Sequence, residues 1–104
     1  MVISEEERII FTKTEKSILG YFNISRDRIV ERNTSNSISL ARNMLYYILH
    51  YEKGISSNKI AFRYSRTPRV VKRQVSVIKT CLDNNKAYQT LYATLLDEIK
   101  KGDN

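Results

Sequence analysis

Leu40, Met44, Tyr47, Ile48 and Tyr51 recur at three- and four-residue steps, and Gly54 follows where such a run would stop. Apolar residues at that spacing share one face of an α-helix, so the stretch must bury one side against another element. The same periodicity returns along the chain, and no pair of alternating segments is joined by a hairpin turn. One proline and three glycines in 104 residues leave few points at which helix would be interrupted. The class is all-α, and the length is that of a single domain.

Cap signals divide the chain further. "TKTE", Thr12 to Glu15, has the capping-box form and opens a helix through Ile18, Leu19, Tyr21 and Phe22. Residues 1–11 are then an N-terminal extension, 12–101 the helical domain and 102–104 a tail, with "KKGDN" a frayed end. Asn23 supplies a stop, and Ser25 caps a short helix holding Ile29 and Val30. "RNTSNS", residues 32–37, is a polar loop, after which Ser37 or Ser39 caps the helix of Leu40 to Tyr51. Ser56 or Ser57 starts a helix of about two turns through Ile60 and Ala61, and a break falls at Tyr64 to Arg66. Thr67 is a good N-cap and Pro68 suits the first helical position. A last helix, from about Asn85 to Lys100, carries Tyr88, Leu91, Tyr92, Leu95 and Ile99 on one side. About six helices result, and the pair around Tyr64 to Arg66 makes a helix-turn-helix.

The formal charge is +7, and it is unevenly distributed. Between residues 53 and 82 stand Lys53, Lys59, Arg63, Arg66, Arg69, Lys72, Arg73 and Lys79, eight cations without a single acid. The rest of the chain holds ten cations against eleven acids, so the balance is +8 in one block and −1 elsewhere. A block of this kind concentrates positive potential on the face that it presents, which favours a polyanionic partner.

On a helical wheel at about 100° per residue, Val71, Val75, Ile78 and Leu82 form an inner stripe. Arg69, Arg73, Ser76 and Thr80 lie opposite, with Lys72 and Lys79 on one flank. Val70, Val77 and Cys81 make a second apolar flank, which predicts that the helix touches more than one neighbour. The second helix of a helix-turn-helix reads base edges in the major groove with residues near its N-terminus, where Arg69 and Arg73 stand.

Through "ILGYFNISRDRIVER", "ISLARNMLYYILHY" and "SSNKIAFRYSRTPRVVKRQVSVI", from about Thr14 to Ile99, the chain resembles the C-terminal DNA-binding domain of the bacterial replication initiator DnaA. That resemblance implies a Trp-repressor-like helical domain with a helix-turn-helix. The family's basic loop before its long helix is reduced here to Arg32, while Arg42 in "LARNM" matches the family's arginine. The family signature Gly-Gly-Arg-Asp-His-Thr-Thr-Val aligns, with one glycine deleted, on Arg66, Thr67, Pro68, Arg69, Val70 and Val71. The residues that help the family contact its fixed DNA box are therefore replaced, so the resemblance implies duplex binding at a different sequence.

Several function classes are excluded. No apolar run approaches the roughly 20 residues that span a bilayer, and "MVISEEERII" is acidic where a secretory signal would be basic, so no membrane partner and a cytoplasmic location are expected. A lone Cys81 and a lone His50 make neither a disulfide nor a zinc cluster. There is no G-x-x-x-x-G-K-[ST] loop, hence no ATPase, and no cofactor is expected. His50 has no nucleophile or acid at a useful spacing and is read as packing or capping, while Cys81 is read as a small buried hydrophobe. Of seven tyrosines most follow core spacing; Tyr64, flanked by Arg63 and Arg66, is the one expected to touch a sugar-phosphate backbone.

The reading is a small regulator of replication or transcription, of the kind a phage or mobile element carries, that binds double-stranded DNA and is not an enzyme. Lys59, Arg63, Tyr64 and Arg66 are expected on the phosphates, helped by Arg32 and Arg42, and Thr67, Arg69, Lys72, Arg73 and Ser76 at the groove. The alternative is a protein-interaction module of the same fold that docks an acidic replication protein.

Overall fold

A computed structural model describes residues 2–31 and 35–102, which form six helices: α1 (Glu5–Phe22), α2 (Arg26–Ile29), α3 (Asn36–Tyr51), α4 (Ser57–Arg63), α5 (Pro68–Asn84) and α6 (Lys86–Gly102). The described residues contain no strand, as the periodicity requires. No helix among them is long and apolar enough to cross a membrane.

α1 starts well ahead of Thr12. Ser4 is its N-cap: the Ser4 hydroxyl accepts the Glu7 N–H at 3.1 Å, and the Glu7 carboxylate accepts the Ser4 N–H at 3.0 Å. That is a complete capping box, and Glu5, Glu6 and Glu7 place negative charge at the positive end of the helix. Thr12 lies inside the helix, where its hydroxyl donates to the Arg8 carbonyl at 2.9 Å. Residues 5–11 are thus part of α1 rather than an extension, and Phe11 is fully buried in the core. At the other end Asn23 takes the left-handed conformation, φ 56°, and its N–H returns to Gly20, as a helix stop should.

α3 is the central helix. Ile38, Ala41, Met44, Leu45, Tyr46, Ile48 and Leu49 are buried, a set too wide for one stripe, because α1, α2, α4 and α5 all pack around it. Its N-cap is Ser35, not Ser37 or Ser39: the Ser35 hydroxyl accepts the Ile38 N–H at 3.4 Å. At its C-terminus Gly54 has φ 70°, and His50 Nδ1 pairs with the Ile55 carbonyl at 2.9 Å, the capping role its sequence context suggested.

Beyond Gly54 the caps fall where they are expected. Ser56 accepts the Lys59 N–H at 3.3 Å, Thr67 accepts the Val70 N–H at 3.3 Å, and Pro68 opens α5. Val71, Val75 and Ile78 are buried, and α5 packs on α3 and α4. α5 also meets α6, so it touches more than one neighbour as its second apolar flank predicts, although Val77 in that flank is 48% exposed and Val70 and Cys81 are half-buried.

Asn85 alone separates α5 from α6. Its N–H donates to the Cys81 carbonyl at 2.8 Å while its Oδ1 accepts the Ala87 N–H at 2.8 Å, so one residue stops the first helix and starts the second. α6 then packs along α1 with Leu95 and Ile99 buried, and the Tyr92 hydroxyl donates to the Glu52 carboxylate beyond α3. Lys100 to Gly102 are the last turn of α6 rather than a frayed end; residues 103–104 lie outside the described residues.

Candidate nucleic-acid interface

α4 and α5 are joined through residues 64–67, a helix-turn-helix unit in which Ser65 adopts φ 56°. A positive φ at a non-glycine residue reverses the chain tightly, and the Arg66 N–H closes the turn on the Ala61 carbonyl at 2.9 Å. The inner valine stripe of α5 rests on the core, which leaves Arg69, Lys72, Arg73, Ser76, Lys79 and Thr80 exposed on the opposite side. No acid of the described residues comes within ion-pair distance of Arg69, Lys72, Arg73 or Lys79. Arg73, Ser76, Val77, Thr80 and Cys81 line one shallow groove along this face, cationic on one side and apolar on the other.

The cations of α4 are placed differently. Lys59 Nζ donates to the Glu7 carboxylate at 2.7 Å, and Arg63 donates to Glu15 through Nε at 2.8 Å and Nη2 at 3.3 Å. Arg63 also stacks on Phe11, its guanidinium carbon 4.9 Å from the ring centroid. The Arg63 side chain is only 18% exposed and that of Glu15 7%, so this pair is largely withdrawn from solvent. Burial works against the Arg63 charge, yet the hydrogen bond and charge of Glu15 leave its pKa above the ordinary arginine value. The Glu7 carboxyl is held below its ordinary value first by the hydrogen bond from Lys59 and then by the Ser4 N–H.

Tyr64 corrects the sequence reading. It is 0% exposed, packed edge-on to Phe11 and tilted against Tyr46, and its hydroxyl donates to Glu15 at 2.6 Å. A residue flanked by two arginines looks outward in the sequence, but the last turn of α4 turns it into the core, where it cannot reach a phosphate. Burial, and then the negative charge of Glu15, raise its hydroxyl far above the ordinary tyrosine value.

Arg42 and Arg66 meet at the turn. Arg66 Nη2 donates to the Val30 and Glu31 carbonyls at 3.0 and 3.1 Å, and Arg42 Nη1 donates to Ile29 and Glu31 at 3.4 and 3.1 Å. Arg66 ties the end of α2 to the helix-turn-helix and Arg42 ties it to α3, and the two, with Ser65, Thr67 and Val70, line a groove of about 450 Å³. Burial and then the repulsion of Arg66 lower the Arg42 pKa. Arg32 lies outside the described residues.

Of the expected site residues, Arg69, Lys72, Arg73 and Ser76 share one open face, Arg42, Arg66 and Thr67 gather at its N-terminal end, and Lys59 and Arg63 are engaged by α1. Sequence reasoning missed Glu7 and Glu15 as their partners. A signal did exist: Glu7, Phe11 and Glu15 stand at four-residue steps on one side of α1, the spacing that Lys59 and Arg63 repeat on α4. Comparison with protein-family models and with curated proteins finds no match to this chain.

Proposed function

We propose that the chain binds double-stranded DNA by laying α5 into the major groove, as a small regulator without ATPase activity. One observation carries the reading: the described acids neutralise the cations of α4 and leave those on the outer face of α5 unpaired. A helix that exposes four cations beside Ser76 and Thr80 offers phosphate-neutralising charge on its flank and hydrogen-bonding groups at its centre. Arg69 and Arg73, nearest the helix start, are the base-reading positions, while Lys72 and Lys79 on the flank meet phosphates. The resemblance to the initiator's DNA-binding domain supports the same partner at a different target sequence, since Thr67, Pro68, Arg69 and Val70 stand where that family reads its box.

The test is fluorescence anisotropy with a randomised duplex pool at two salt concentrations, followed by sequencing of the bound fraction. An enriched motif with affinity that falls steeply with salt supports the reading, and Arg69→Ala should then flatten the preference while Lys72→Ala removes about one unit of salt slope. Weak binding without enrichment would turn the same surface into a dock for an acidic protein.

A further inference from the structure

Val77 is the apolar residue that a charge-bearing face does not account for. It is 48% exposed on α5, among the cations of the outer side. A single exposed valine is ordinary on a protein surface, so its surroundings carry the argument. Arg73, Ser76, Val77 and Thr80 stand at i, i+3, i+4 and i+7 and therefore form one stripe of the helix. With Cys81 they line a shallow groove of about 350 Å³. Arg73 and Ser76 border it with donors, and Val77 with the half-buried Cys81 gives it an apolar wall.

Thr80 sharpens that division. Its hydroxyl donates to the Ser76 carbonyl at 3.1 Å, so the proton is committed to the helix backbone and Thr80 brings a methyl and an acceptor to the groove, not a donor. Arg73 meets no acid among the described residues, and its guanidinium is the charged group of the groove. A ligand that answers the whole groove presents hydrogen-bond acceptors to Arg73 and, about 6 Å further along the helix axis, an apolar projection to Val77.

In the DNA-binding reading, on which this inference rests, the major groove supplies both features. Guanine offers O6 and N7 to an arginine, and the C5-methyl of thymine is the apolar group among the base edges. A rise of about 6 Å along the helix is close to two base steps of a strand at about 3.4 Å each. We propose that the groove is a seat for the C5-methyl of a pyrimidine, with Val77 as its main contact and Cys81 and the Thr80 methyl completing its wall. The bound sequence then carries a thymine about two steps from a guanine held by Arg73, and Val77 is a specificity-determining residue. The seat also favours DNA over RNA, since uracil lacks the methyl and the major groove of A-form RNA is too narrow for side chains to read. 5-Methylcytosine carries the same methyl, and the two sources separate experimentally.

The test varies the methyl on the DNA, so it does not depend on the folding of any variant. Randomised duplex pools are prepared with the ordinary bases, with uracil in place of thymine, and with 5-methylcytosine in place of cytosine, and the bound fraction of each is sequenced. The ordinary pool should enrich a thymine about two steps from a guanine, and the uracil pool should lose that preference while keeping the guanine. In anisotropy titrations the enriched duplex should bind about fourfold more weakly once that thymine is replaced by uracil, the worth of one methyl withdrawn from water. Val77→Ala should lose a similar factor on the thymine duplex, be indifferent to the replacement, and keep the parent's salt slope because no charge is lost. A preference that passes to 5-methylcytosine in the third pool keeps the seat and makes methylated cytosine the source of the methyl. Equal affinity of the parent chain for the thymine and uracil duplexes, or an equal loss by Val77→Ala on both, overturns the seat and leaves the DNA-binding reading standing. If the parent chain binds no duplex, reading and seat fall together, and Val77 belongs to a surface for a protein partner.

Discussion

The Glu15 carboxylate accepts the hydroxyl of Tyr64 at 2.6 Å across 49 positions of sequence. The same carboxylate takes the Arg63 guanidinium at 2.8 Å and lies 3.4 Å from that of Arg26, so one acid on α1 fastens α4 and the start of α2. Glu15→Ala leaves a largely buried guanidinium uncompensated and a buried phenol without an acceptor. The expected loss is about 3 kcal/mol or more, read as a shift in the urea midpoint. A loss below about 1 kcal/mol, the scale of an exposed pair, would show that solvent already screens the contact.

Phe11 tests whether residues 5–11 belong to the domain. It is fully buried between Tyr64 and Arg63, so Phe11→Ala should cost about 3–5 kcal/mol in the same measurement. An extension outside the domain would tolerate the change.

Glu7 holds Lys59 at 2.7 Å and thereby cancels one cation beside the exposed basic face of α5. Glu7→Gln should raise affinity for duplex DNA and steepen its salt dependence by up to about one unit, because Lys59 becomes available to a phosphate. Unchanged affinity and slope in an anisotropy titration would mean that Lys59 lies away from the bound duplex.

Alkaline stability follows from the buried phenols. Burial raises the hydroxyls of Tyr46, Tyr64 and Tyr92 above the ordinary value of 10.0, with the charge of Glu15 adding to the effect at Tyr64 and the Glu52 hydrogen bond adding to it at Tyr92. The unfolded chain ionises these groups first, so the stability they contribute is complete below pH 10.0 and declines as the pH rises toward the folded values. Urea midpoints should fall on crossing that pH, and Tyr64→Phe should make the fall shallower. Equal slopes for the variant and the parent would place the alkaline sensitivity elsewhere.

The helix-turn-helix was legible because its signals are local. Ser56, Thr67 and Pro68 fix helix ends through contacts a few residues long, and the stripe of Val71, Val75 and Ile78 follows from the helical repeat. The start of α1 was misread because two capping boxes compete in the first 15 residues; Ser4 with Glu7 wins, and Glu15 is drawn instead to Arg63 and Tyr64. The Ser4–Glu7 box is as local a signal as the Thr12–Glu15 one, and what decides between them is the tertiary partners of Glu15. Tyr64 and Tyr46 were obscured for the same reason: the pattern marks which residues share a helix face, but the burial of a polar tip depends on the neighbour across the interface.

The pairing of Lys59 and Arg63 with α1 has a consequence for approach as well as for contact. With the charge of α4 cancelled internally, the outward field comes chiefly from one side of one helix, and the molecule carries a lopsided charge that a polyanion can turn. On the proposed DNA-binding reading, a body of that kind would rotate its basic helix toward an approaching duplex before the surfaces meet, so more of its collisions would arrive in the productive orientation. The ion pairs on α1 would then act at a distance from that interface, by silencing charge that would point the molecule the wrong way.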